Sequence, residues 1–348
     1  MDGFFITRAI TKANHAGSKA VSDTDSIMQK EGLKKIEIYT SSSKNRFISK
    51  LQNYLSLRNI YNVTNNSLVV VEHPLYINKR YIRFIKKCKE KKSVKLAFII
   101  HDYETIRNLF PENVDIRIVE KIVLEIADVL IVHNDKMKKV FVEKYNVDES
   151  KIVSLNIFDY LCEGEITREK CSKDSVTVAG NLNPQKSGYV YRLKEQCKNI
   201  KYNLYGVNYE GSESEENVTY HGSVDSNLLP NVLQGGFGLV WDGNSAESCV
   251  GNTGEYLRVN NPHKTSLYLA SGVPVIVWKE AAIADFVTKN GVGICVSSLN
   301  EIPEKISELT DEDYDKMVES AKSIGTKLRE GHYFATALRK ANEIVNAR

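Results

Sequence analysis

The sequence predicts an α/β protein with two Rossmann-like domains that face each other across a cleft. Two observations support this prediction: the chain has 348 residues, and strand-like and helix-like segments alternate in both of its halves. Because single hydrophobic cores stop growing near about 250 to 300 residues, a chain of this length is expected to form two domains. The predicted domains are 1–160 and 161–330, followed by a C-terminal helix, 331–348, that packs back toward the first domain.

In the first half, short runs rich in β-branched and aromatic residues have the length of strands. They are Gly3 to Thr7, Lys35 to Tyr39, Ser67 to Glu72, Val94 to Ile100 and Val129 to Val132. Helix-like stretches separate them, which predicts a parallel sheet covered on both faces. A polar, charge-rich stretch from Asp159 to Asp174 interrupts the alternation and is predicted to connect the domains.

The alternation restarts in the second half with the strand-like strings SVTVAGN, YNLYGV, VTYHGSV, GFGLVWDG, PVIVWK and VGICV. The polar run GSESEEN, Gly211 to Asn217, is predicted to be a surface loop, and a long helical tail is predicted from Asp311 to Asn346. Open α/β sheets bind ligands at the carboxyl ends of their strands, so we expect the active site in the cleft between the two domains.

The composition is that of a folded globular protein, with 42% hydrophobic and 26% charged residues. A net charge of +3 argues against a nucleic-acid partner. The six cysteines form no C-x-x-C pair and no zinc-like cluster, and the N-terminus has no signal-peptide pattern. We therefore expect a cytoplasmic protein with free thiols.

The most informative segment is NNPHKTSLYLASGVPVIVW, Asn260 to Trp278. Asn261 is predicted to cap a helix, Pro262 to occupy its first position and Gly272 to end it. Lys264 would then lie in the first turn, where free amides, helix dipole and ammonium all favour a diphosphate. The alternative is an ordinary capped helix with a solvated lysine.

Several strings occur in a fixed order along the chain. They are FIIHD (Phe98 to Asp102), AGN followed by PQKSGYV (Ala179 to Val190), QGGFGLVW (Gln234 to Trp241), the NNPHK helix and NGVG (Asn290 to Gly293). Together they resemble the glucosyltransferases that extend glycans on streptococcal serine-rich adhesins, and the related bacterial β-1,6-galactofuranosyltransferases. The resemblance spans nearly the whole chain, from the NHAGSKA loop to the C-terminal helix, and is more specific in the C-terminal half.

The resemblance implies a GT-B fold in which the C-terminal domain holds UDP, the N-terminal domain binds the acceptor, and the protein is a homodimer or homotetramer. Lys264 matches the lysine that family members use against the diphosphate. Lys186 stands where the streptococcal enzymes have a nucleotide-contacting arginine, so the charge is kept but the planar fork for bidentate phosphate contacts is lost. We expect Asn261, His263 and Thr265, around the helix start, to belong to the same UDP-sugar site.

Further donor contacts are expected at two other strand ends. Gly235 and Gly236 precede the strand that leads to Asp242 and would let the backbone approach the uracil or ribose; a tight turn into a buried strand is the alternative. Gly180 and Asn181 close the strand SVTVAGN at its carboxyl end, the expected rim of the cleft. Their alternative is a plain strand-to-loop turn.

The loop after the first strand is predicted to contact donor phosphates or the acceptor. It carries Asn14, His15, Gly17, Ser18 and Lys19. Because it lacks the full G-x-G-x-x-G pattern, it is no evidence for a dinucleotide cofactor. A capping turn is the alternative.

His101 and Asp102 end an apolar strand, so at least one should project toward the cleft. Sugar transfer that inverts the anomeric centre needs a base to take the proton of the acceptor hydroxyl, and these residues are the candidates. The alternative is that Asp102 caps the following turn and His101 is a packed, hydrogen-bonded side chain.

The stretch from Asn78 to Lys95 contains nine Lys or Arg residues and one Glu, with apolar residues at helical spacing. Such a helix usually packs its apolar stripe on the sheet and leaves its charges in water. A contact of its basic face with an anionic membrane or a lipid-diphosphate acceptor stays open as the alternative.

The predicted function is transfer of a hexose, glucose or galactofuranose, from a UDP-sugar to a saccharide acceptor on a protein or a lipid carrier. No cofactor and no metal ion are expected, because the positive diphosphate site replaces a metal. Two alternatives stay open: a nucleotide-sugar epimerase, and a catalytically inactive GT-B subunit that binds glycosylated protein or a partner transferase. The predicted location is the cytoplasm, with peripheral contact at the inner face of the membrane left open.

Overall fold

A computed structural model describes residues 3–9, 16–41, 43–76, 79–110, 112–162, 164–167, 171–193, 199–212 and 214–347. These residues form two compact units. Within the described residues, the first unit comprises 3–9, 20–155 and 334–347, and the second comprises 16–19 and 156–333.

The first unit is built on a six-stranded parallel sheet. Its strands are β1 (Gly3–Arg8), β2 (Lys34–Ile38), β3 (Leu68–His73), β4 (Lys95–Ile100), β5 (Val129–Val132) and β6 (Ile152–Ser154). The strand order β2-β1-β3-β4-β5-β6 reverses direction between β1 and β3. This reversal is a topological switch point, next to which open α/β sheets bind ligands. The central strand β3 is buried along its whole length, as expected for a parallel sheet covered on both faces.

Helices follow these strands, and three of them begin at an asparagine cap. They are α1 (Ala16–Lys30), α2 (Arg46–Arg58), α3 (Arg80–Lys92), α4 (Glu104–Arg107), α5 (Val114–Ile126) and α6 (Asp135–Tyr145), with 3₁₀ helices at Asn59–Asn62 and Glu149–Lys151. Asn45, Asn113 and Asn134 accept backbone N–H groups at the starts of α2, α5 and α6.

The second unit is built on a seven-stranded sheet. Its strands are β7 (Ser175–Asn181), β8 (Lys201–Val207), β9 (Ser214–Glu215), β10 (Val218–Tyr220), β11 (Phe237–Val240), β12 (Val275–Trp278) and β13 (Gly293–Val296). The order β13-β12-β11-β7-β8-β10-β9 has its switch point between β7 and β11. Strand β9 pairs antiparallel with β10, and without it the order is that of nucleotide-binding Rossmann sheets.

Short helices connect these strands, and two long helices end the chain. They are α7 (Pro184–Ser187), α8 (Leu229–Val232), α9 (Gly251–Tyr256), α10 (His263–Ala270), α11 (Ala284–Asn290), α12 (Ile302–Ser307), α13 (Asp311–Glu330) and α14 (His332–Asn346), with 3₁₀ helices at Gly188–Arg192 and Leu299–Glu301. The core of the second unit contains the fully buried rings of Trp241, Tyr268 and Trp278. From residue 334 onward, α14 belongs to the first unit.

The strands predicted from the sequence are all present, several with shorter ends, but three details differ. The sequence does not predict the short strand β6, and β9 lies inside the run predicted to be a surface loop. The predicted helical tail is two helices, because Gly331 between α13 and α14 adopts a left-handed φ of 78°.

Candidate functional site

The carboxyl ends of β7 and β11 lie side by side at the switch point of the second unit. Gly180 lies at the end of β7, and Asp242 follows the end of β11. Gly180 has a φ of 143°, which favours glycine, and a Cβ placed on it would come 3.3 Å from Cε of Lys264. Gly180, Asp242 and Lys264 are therefore brought together where such sheets bind ligands.

Lys264 lies in the first turn of α10 and contacts the segment after β11. Its Nζ donates to Oδ1 of Asp242 at 2.9 Å and to the carbonyl oxygen of Trp241 at 3.0 Å. Burial disfavours the charge on Lys264, but the Asp242 carboxylate outweighs this effect and raises the pKa of the ammonium. Two of the three ammonium N–H groups are used in these contacts with described residues, which leaves one to donate to a ligand.

The start of α10 differs from the predicted one. Its N-cap residue is Pro262, whose side chain makes no capping hydrogen bond. Asn261, the predicted cap, instead donates from Nδ2 to the carbonyl oxygen of Asn156 at 3.0 Å, so that prediction is wrong. Gly272, with a φ of 69°, follows the C-cap residue Ser271 and ends the helix as predicted. Because a proline side chain cannot accept from the first-turn amides, this helix end is suited to an anion.

His263 and Thr265 flank Lys264 in the sequence. Thr265 is completely buried, and its hydroxyl has no partner among the described residues. Contact of Thr265 with the donor stays a prediction. The His263 ring stacks on Tyr160 with centroids 5.0 Å apart, and its Nε2 lies 3.2 Å from the carbonyl oxygen of Asp159. These contacts fix the start of α10.

The predicted phosphate loop is described only in part. Asn14 and His15 lie outside the described residues. Gly17, Ser18 and Lys19 lie in the first turn of α1. Contact of this loop with donor phosphates or acceptor stays a prediction.

Lys19 groups with the second unit and shares the aromatic platform that holds His263. Its Nζ donates to the carbonyl oxygen of Leu161 at 2.6 Å and lies 4.9 Å from the ring centroid of Tyr160. Lys19 is also buried. Its ammonium is thus anchored by a carbonyl and an aromatic face.

Asn181 and Lys186 lie beside the same strand end as Gly180. The Oδ1 atom of Asn181 accepts from Nδ2 of Asn208 at 3.1 Å. The side chain of Lys186 is exposed, and its carbonyl oxygen accepts from the backbone N–H of Gly243 at 3.1 Å. This contact holds α7 against the segment that follows β11.

Gly235 and Gly236 lie at the amino end of β11, the opposite end from Asp242. A Cβ on Gly235, whose φ is 154°, would overlap Thr177, and a Cβ on Gly236 would overlap the carbonyl oxygen of Ser172. The protein itself fills the space next to both glycines. The tight turn into a buried strand accounts for both glycines, and the expected approach of their backbone to uracil or ribose stays a prediction.

In the first unit, the carboxyl ends of β3 and β4 place His101 beside Glu72. Nε2 of His101 contacts Oε2 of Glu72, and Thr24 donates to Oε1 of the same carboxylate at 2.8 Å. Glu72 is buried, and the His101 side chain is 11% exposed. Burial disfavours the imidazolium, but the negative charge of Glu72 outweighs it and raises the pKa of His101. A histidine oriented by a buried carboxylate has the arrangement of a general base.

Asp102 has a different partner. Its Oδ2 accepts from Nη1 of Arg107 at 2.5 Å, and the same nitrogen lies 3.1 Å from Oε1 of Glu104. Asp102 is thus held in an ion pair with Arg107, whereas His101 is held by a buried carboxylate. The role of either residue as the base stays a prediction.

Sequence reasoning missed several residues of these sites. Glu72 ends a predicted strand as its one acidic residue, which is a usable signal. Arg107 carries no such signal, and nor does His133, whose Nε2 lies 3.1 Å from the carbonyl oxygen of His101. Burial and the charge of His101 lower the pKa of His133 to about 3, so His133 stays neutral. Tyr160 is likewise identified only by its contacts.

Within the described part of the chain, no group of three His, Cys, Asp or Glu side chains could hold a metal ion. Three Asp-x-Asp triplets occur, at Asp23–Asp25, Asp311–Asp313 and Asp313–Asp315. Asp25 is buried 3.2 Å from Nζ of Lys35, and the backbone N–H of Asp313 is capped by Thr310. No helix among the described residues has the length and apolar character needed to cross a membrane.

Comparison with known proteins shows to which family the chain belongs. The model described as "Glucosyltransferase 3-like, N-terminal domain" matches residues 3–157, and the corresponding C-terminal model matches residues 176–341. Beta-1,6-galactofuranosyltransferase WbbI of Escherichia coli (strain K12) is 38% identical over 258 residues, 73% of each chain. The chain belongs to the glucosyltransferase 3-like family. This membership confirms the resemblance found in the sequence and makes the protein a glycosyltransferase.

Other comparisons agree on family and fold. Glucosyltransferase 3 of Streptococcus gordonii is 38% identical to this glucosyltransferase 3-like chain over 125 residues, 36% of each chain. The crystal structure of Anabaena Alr3699/HepE in complex with UDP-glucose has a TM-score of 0.60 at 12% identity, with 100% of both chains covered. At this identity the likeness concerns the fold alone, which is GT-B, as the sequence predicts.

Proposed function

We propose that this family member transfers a hexose from a UDP-sugar to a saccharide acceptor. The observation that carries the proposal is the position of Lys264 and the uncapped start of α10 beside Gly180, at the switch point of a Rossmann sheet. UDP-glucose and UDP-galactofuranose are the donors to test first. Relatives are described as glucosyl- and galactofuranosyltransferases, and the HepE structure contains UDP-glucose.

Lys264 is proposed to assist the departure of UDP. When the bond between the anomeric carbon and the β-phosphate oxygen breaks, its electron pair goes to that oxygen and negative charge grows on the diphosphate. A fixed ammonium and fixed helix amides stabilise this charge more in the transition state than in the bound donor. Lys264 should therefore contribute to turnover as well as to donor binding, without a metal or a cofactor.

Asp242 and Lys186 are proposed to support Lys264 in binding the diphosphate, Asp242 by positioning and Lys186 by direct contact. Asp242 holds the ammonium of Lys264 in place before the donor arrives. Lys186 is the second cation, because its side chain is exposed and its backbone contacts the residue after Asp242. Asn181, at the end of β7, is proposed to contact the donor from the neighbouring strand.

His101 is the proposed base for the acceptor hydroxyl, and Glu72 is its positioning residue. With Nε2 facing Glu72, the ring proton is held on Nε2, so Nδ1 is the nitrogen that accepts the proton. Nδ1 is buried, and an acceptor hydroxyl reaches it only when neighbouring side chains move. The raised pKa of His101 stabilises the imidazolium formed by the transfer.

Titration with UDP and a transfer assay test the proposal. We expect UDP to bind and the UDP-sugar to be consumed only when a saccharide acceptor is present. Conversion of a UDP-sugar to an isomer without acceptor would instead indicate an epimerase. Absence of both UDP binding and transfer would indicate an inactive GT-B subunit.

The acceptor is proposed to be a saccharide on a protein or a lipid carrier, and the protein is proposed to be a cytoplasmic homodimer or homotetramer. Light scattering coupled to gel filtration measures the subunit number directly. Transfer to free oligosaccharide, glycopeptide and glycolipid, compared at equal concentration, distinguishes the acceptor classes.

A further inference from the structure

We propose that one face of the first unit docks on an anionic lipid bilayer. This docking face consists of an apolar stripe on α2 and a basic groove beside it, lined by residues of α2, α3 and the 3₁₀ helix between β2 and β3. It uses neither Lys264 nor His101, so its test is independent of the proposed transfer reaction.

The apolar stripe runs along the outside of α2. Its members are between 45% and 78% exposed: Phe47, Ile48, Leu51, Tyr54 and Leu55. At about 100° per residue, their spacing places all of them within an arc of about 120° on one side of the helix. Single exposed apolar residues need no explanation, but a contiguous stripe of large side chains indicates an interaction surface.

The side of α2 that faces the protein carries two hydrogen-bonded polar side chains and one buried apolar residue, Leu57. Ser56 is buried and accepts from the backbone N–H of Tyr39 at 2.9 Å. Asn53 accepts from the backbone N–H of Ser41 at 2.6 Å through Oδ1. An ordinary surface helix packs most of its apolar residues inward. In α2 five large apolar side chains point outward instead, and the contacts of Ser56, Asn53 and Leu57 hold the helix in this orientation.

The basic groove begins where the stripe ends. It has a volume of about 800 Å³, and six of its nine lining residues are cationic while none is acidic. The cations are Arg58, Arg80, Arg83, Lys87, Lys91 and Lys92. The ring centroid of Phe84 lies 5.9 Å from that of Tyr54 and 5.8 Å from that of Tyr61. Tyr54 therefore belongs to both the stripe and the groove.

The charges of α3 are divided between its two sides. On the side toward α5 and β5, lysines form ion pairs at 2.7 to 2.8 Å: Lys79 with Asp115, Lys86 with Glu125, and Lys89 with Asp128. On the groove side, Arg58, Arg83, Lys87 and Lys91 form no ion pair with any carboxylate in the described ranges of the chain. These four positive charges, which have no ion-pair partner among the described residues, are thus concentrated next to the apolar stripe.

The apolar stripe and the basic groove together indicate which partner fits the docking face. A second copy of the chain related by two-fold symmetry would bring the same six cations toward each other, which is repulsive. A soluble polyanion would neutralise the groove but leave Phe47 and Leu51 in water. An anionic bilayer satisfies both parts, because phosphates meet the cations while the apolar side chains enter the acyl boundary.

A tryptophan reporter tests insertion directly. The native tryptophans, Trp241 and Trp278, are buried, so Phe47→Trp adds an exposed fluorophore at the end of the apolar stripe that lies away from the groove. With the full chain, vesicles of phosphatidylcholine and phosphatidylglycerol should shift the emission of this residue to the blue, and brominated acyl chains should quench it. Vesicles of phosphatidylcholine alone, or inorganic pyrophosphate, should do neither.

Two variants and a matched control separate the parts of the face. Each cation near an anionic surface contributes about fivefold to binding, so Arg83→Gln/Lys87→Gln/Lys91→Gln should weaken vesicle binding on the order of 100-fold. Lys139 pairs with Glu143 at 3.7 Å on another helix of the same unit. Lys79→Gln/Lys86→Gln/Lys139→Gln removes the same number of positive charges, all from ion-paired lysines, and should bind nearly as the native chain. Phe47→Ser/Leu51→Ser should remove the binding that persists at high salt.

Each other outcome overturns the proposal. If the stripe variant binds vesicles as tightly as the native chain, only the charges contribute to binding. If the groove variant binds as tightly as the native chain, the vesicle contacts another part of the protein. If the stripe variant converts an oligomer to a monomer, the face is an interface between copies of this chain. Pyrophosphate binding in the groove without vesicle binding would make it a soluble-anion site. Gel filtration and thermal unfolding accompany each variant, and all altered side chains are exposed or half-buried.

Discussion

Replacing Lys264 by methionine tests the donor site with little change in packing. Methionine keeps an apolar stem next to Gly180 but removes the ammonium that bridges Asp242 and the carbonyl oxygen of Trp241. A charge-assisted hydrogen bond to phosphate is worth about 1.5 to 3 kcal/mol, so UDP should bind about 10 to 150 times more weakly. Turnover should fall as well, because the leaving diphosphate gains charge in the transition state.

The loss of the ion pair with Asp242 should lower the UDP affinity of Lys264→Met further. Without Lys264, the Asp242 carboxylate, whose side chain is 15% exposed, loses its partner and repels an incoming diphosphate. Two unit charges about 5 Å apart at an effective dielectric constant of about 20 repel by about 3 kcal/mol, an upper estimate at a partly solvated site. Lys264→Met should therefore cost more UDP affinity in the native chain than in an Asp242→Asn background. A double-mutant cycle measures the difference.

Calorimetric titration with UDP and with pyrophosphate, together with steady-state transfer rates, measures these effects. Lys322→Met is the matched control, because Lys322 is an exposed lysine of the same unit that pairs with Glu319. Lys264→Arg should restore only part of the affinity, since a planar fork replaces a compact ammonium. A folded Lys264→Met protein with native UDP binding and native transfer would refute the diphosphate site.

Four further outcomes are expected. His101→Ala should lower turnover by roughly 100 to 10,000 fold and leave UDP affinity unchanged; native turnover would exclude His101 as the base. Glu72→Gln should move the acid limb of the kcat profile to lower pH, because the native pKa of His101 lies above its ordinary value of 6.5 and neutral His101 is the active form; an unmoved limb would contradict the positioning role. Asp242→Asn should tighten pyrophosphate binding, and weaker binding would show that Asp242 acts otherwise. Gly180→Ala should weaken UDP binding by displacing Lys264, whereas Gly222→Ala, with a φ of 77° and open space around its Cβ, should not.

The sequence predicts the two sheets because their strands are unmistakable. Val69 to Val71 and Val275 to Val277 lie in apolar runs that are buried on both faces, which is the pattern of a parallel sheet. Strands β6 and β9 have three and two residues, too few for any periodicity. These strands are defined by their hydrogen bonds to neighbouring strands, β5 for β6 and β10 for β9. The sequence of the short segment itself does not show which strand will lie beside it.

The helix that carries Lys264 is predicted correctly, but its cap is not. Asn261 has the right residue type and position for a cap, yet its amide reaches the carbonyl oxygen of Asn156, far away in the sequence. Capping preferences describe what a side chain does when only its own helix is nearby. Here the side chain of Asn261 is held by a tertiary partner, because its Nδ2 donates to a backbone carbonyl from a distant part of the chain.

Gly180 and Gly235 also show that a local sequence signal does not identify a site residue. Gly180 and Gly235 both flank strands and both have φ near 150°, so their local signals are alike. Gly180 lies at the carboxyl end of β7 next to Lys264, whereas Gly235 lies at the amino end of β11 against Thr177. Only the register of neighbouring strands distinguishes a position that faces a ligand site from one that faces the protein.

The pairing of Lys264 with Asp242 also bears on how such a site releases its product. An unpaired ammonium in a largely buried position is costly, and Asp242 removes that cost while the site is empty. In the proposed reaction, a diphosphate meets an ammonium that already donates to Asp242, and we expect this pairing to limit the affinity for both donor and UDP. As the bond between the sugar and the β-phosphate breaks, the growing charge on the phosphate should strengthen its interaction with the ammonium, which would then be strongest at the transition state. The ion pair would thus lower the stabilisation of the bound donor relative to that of the transition state.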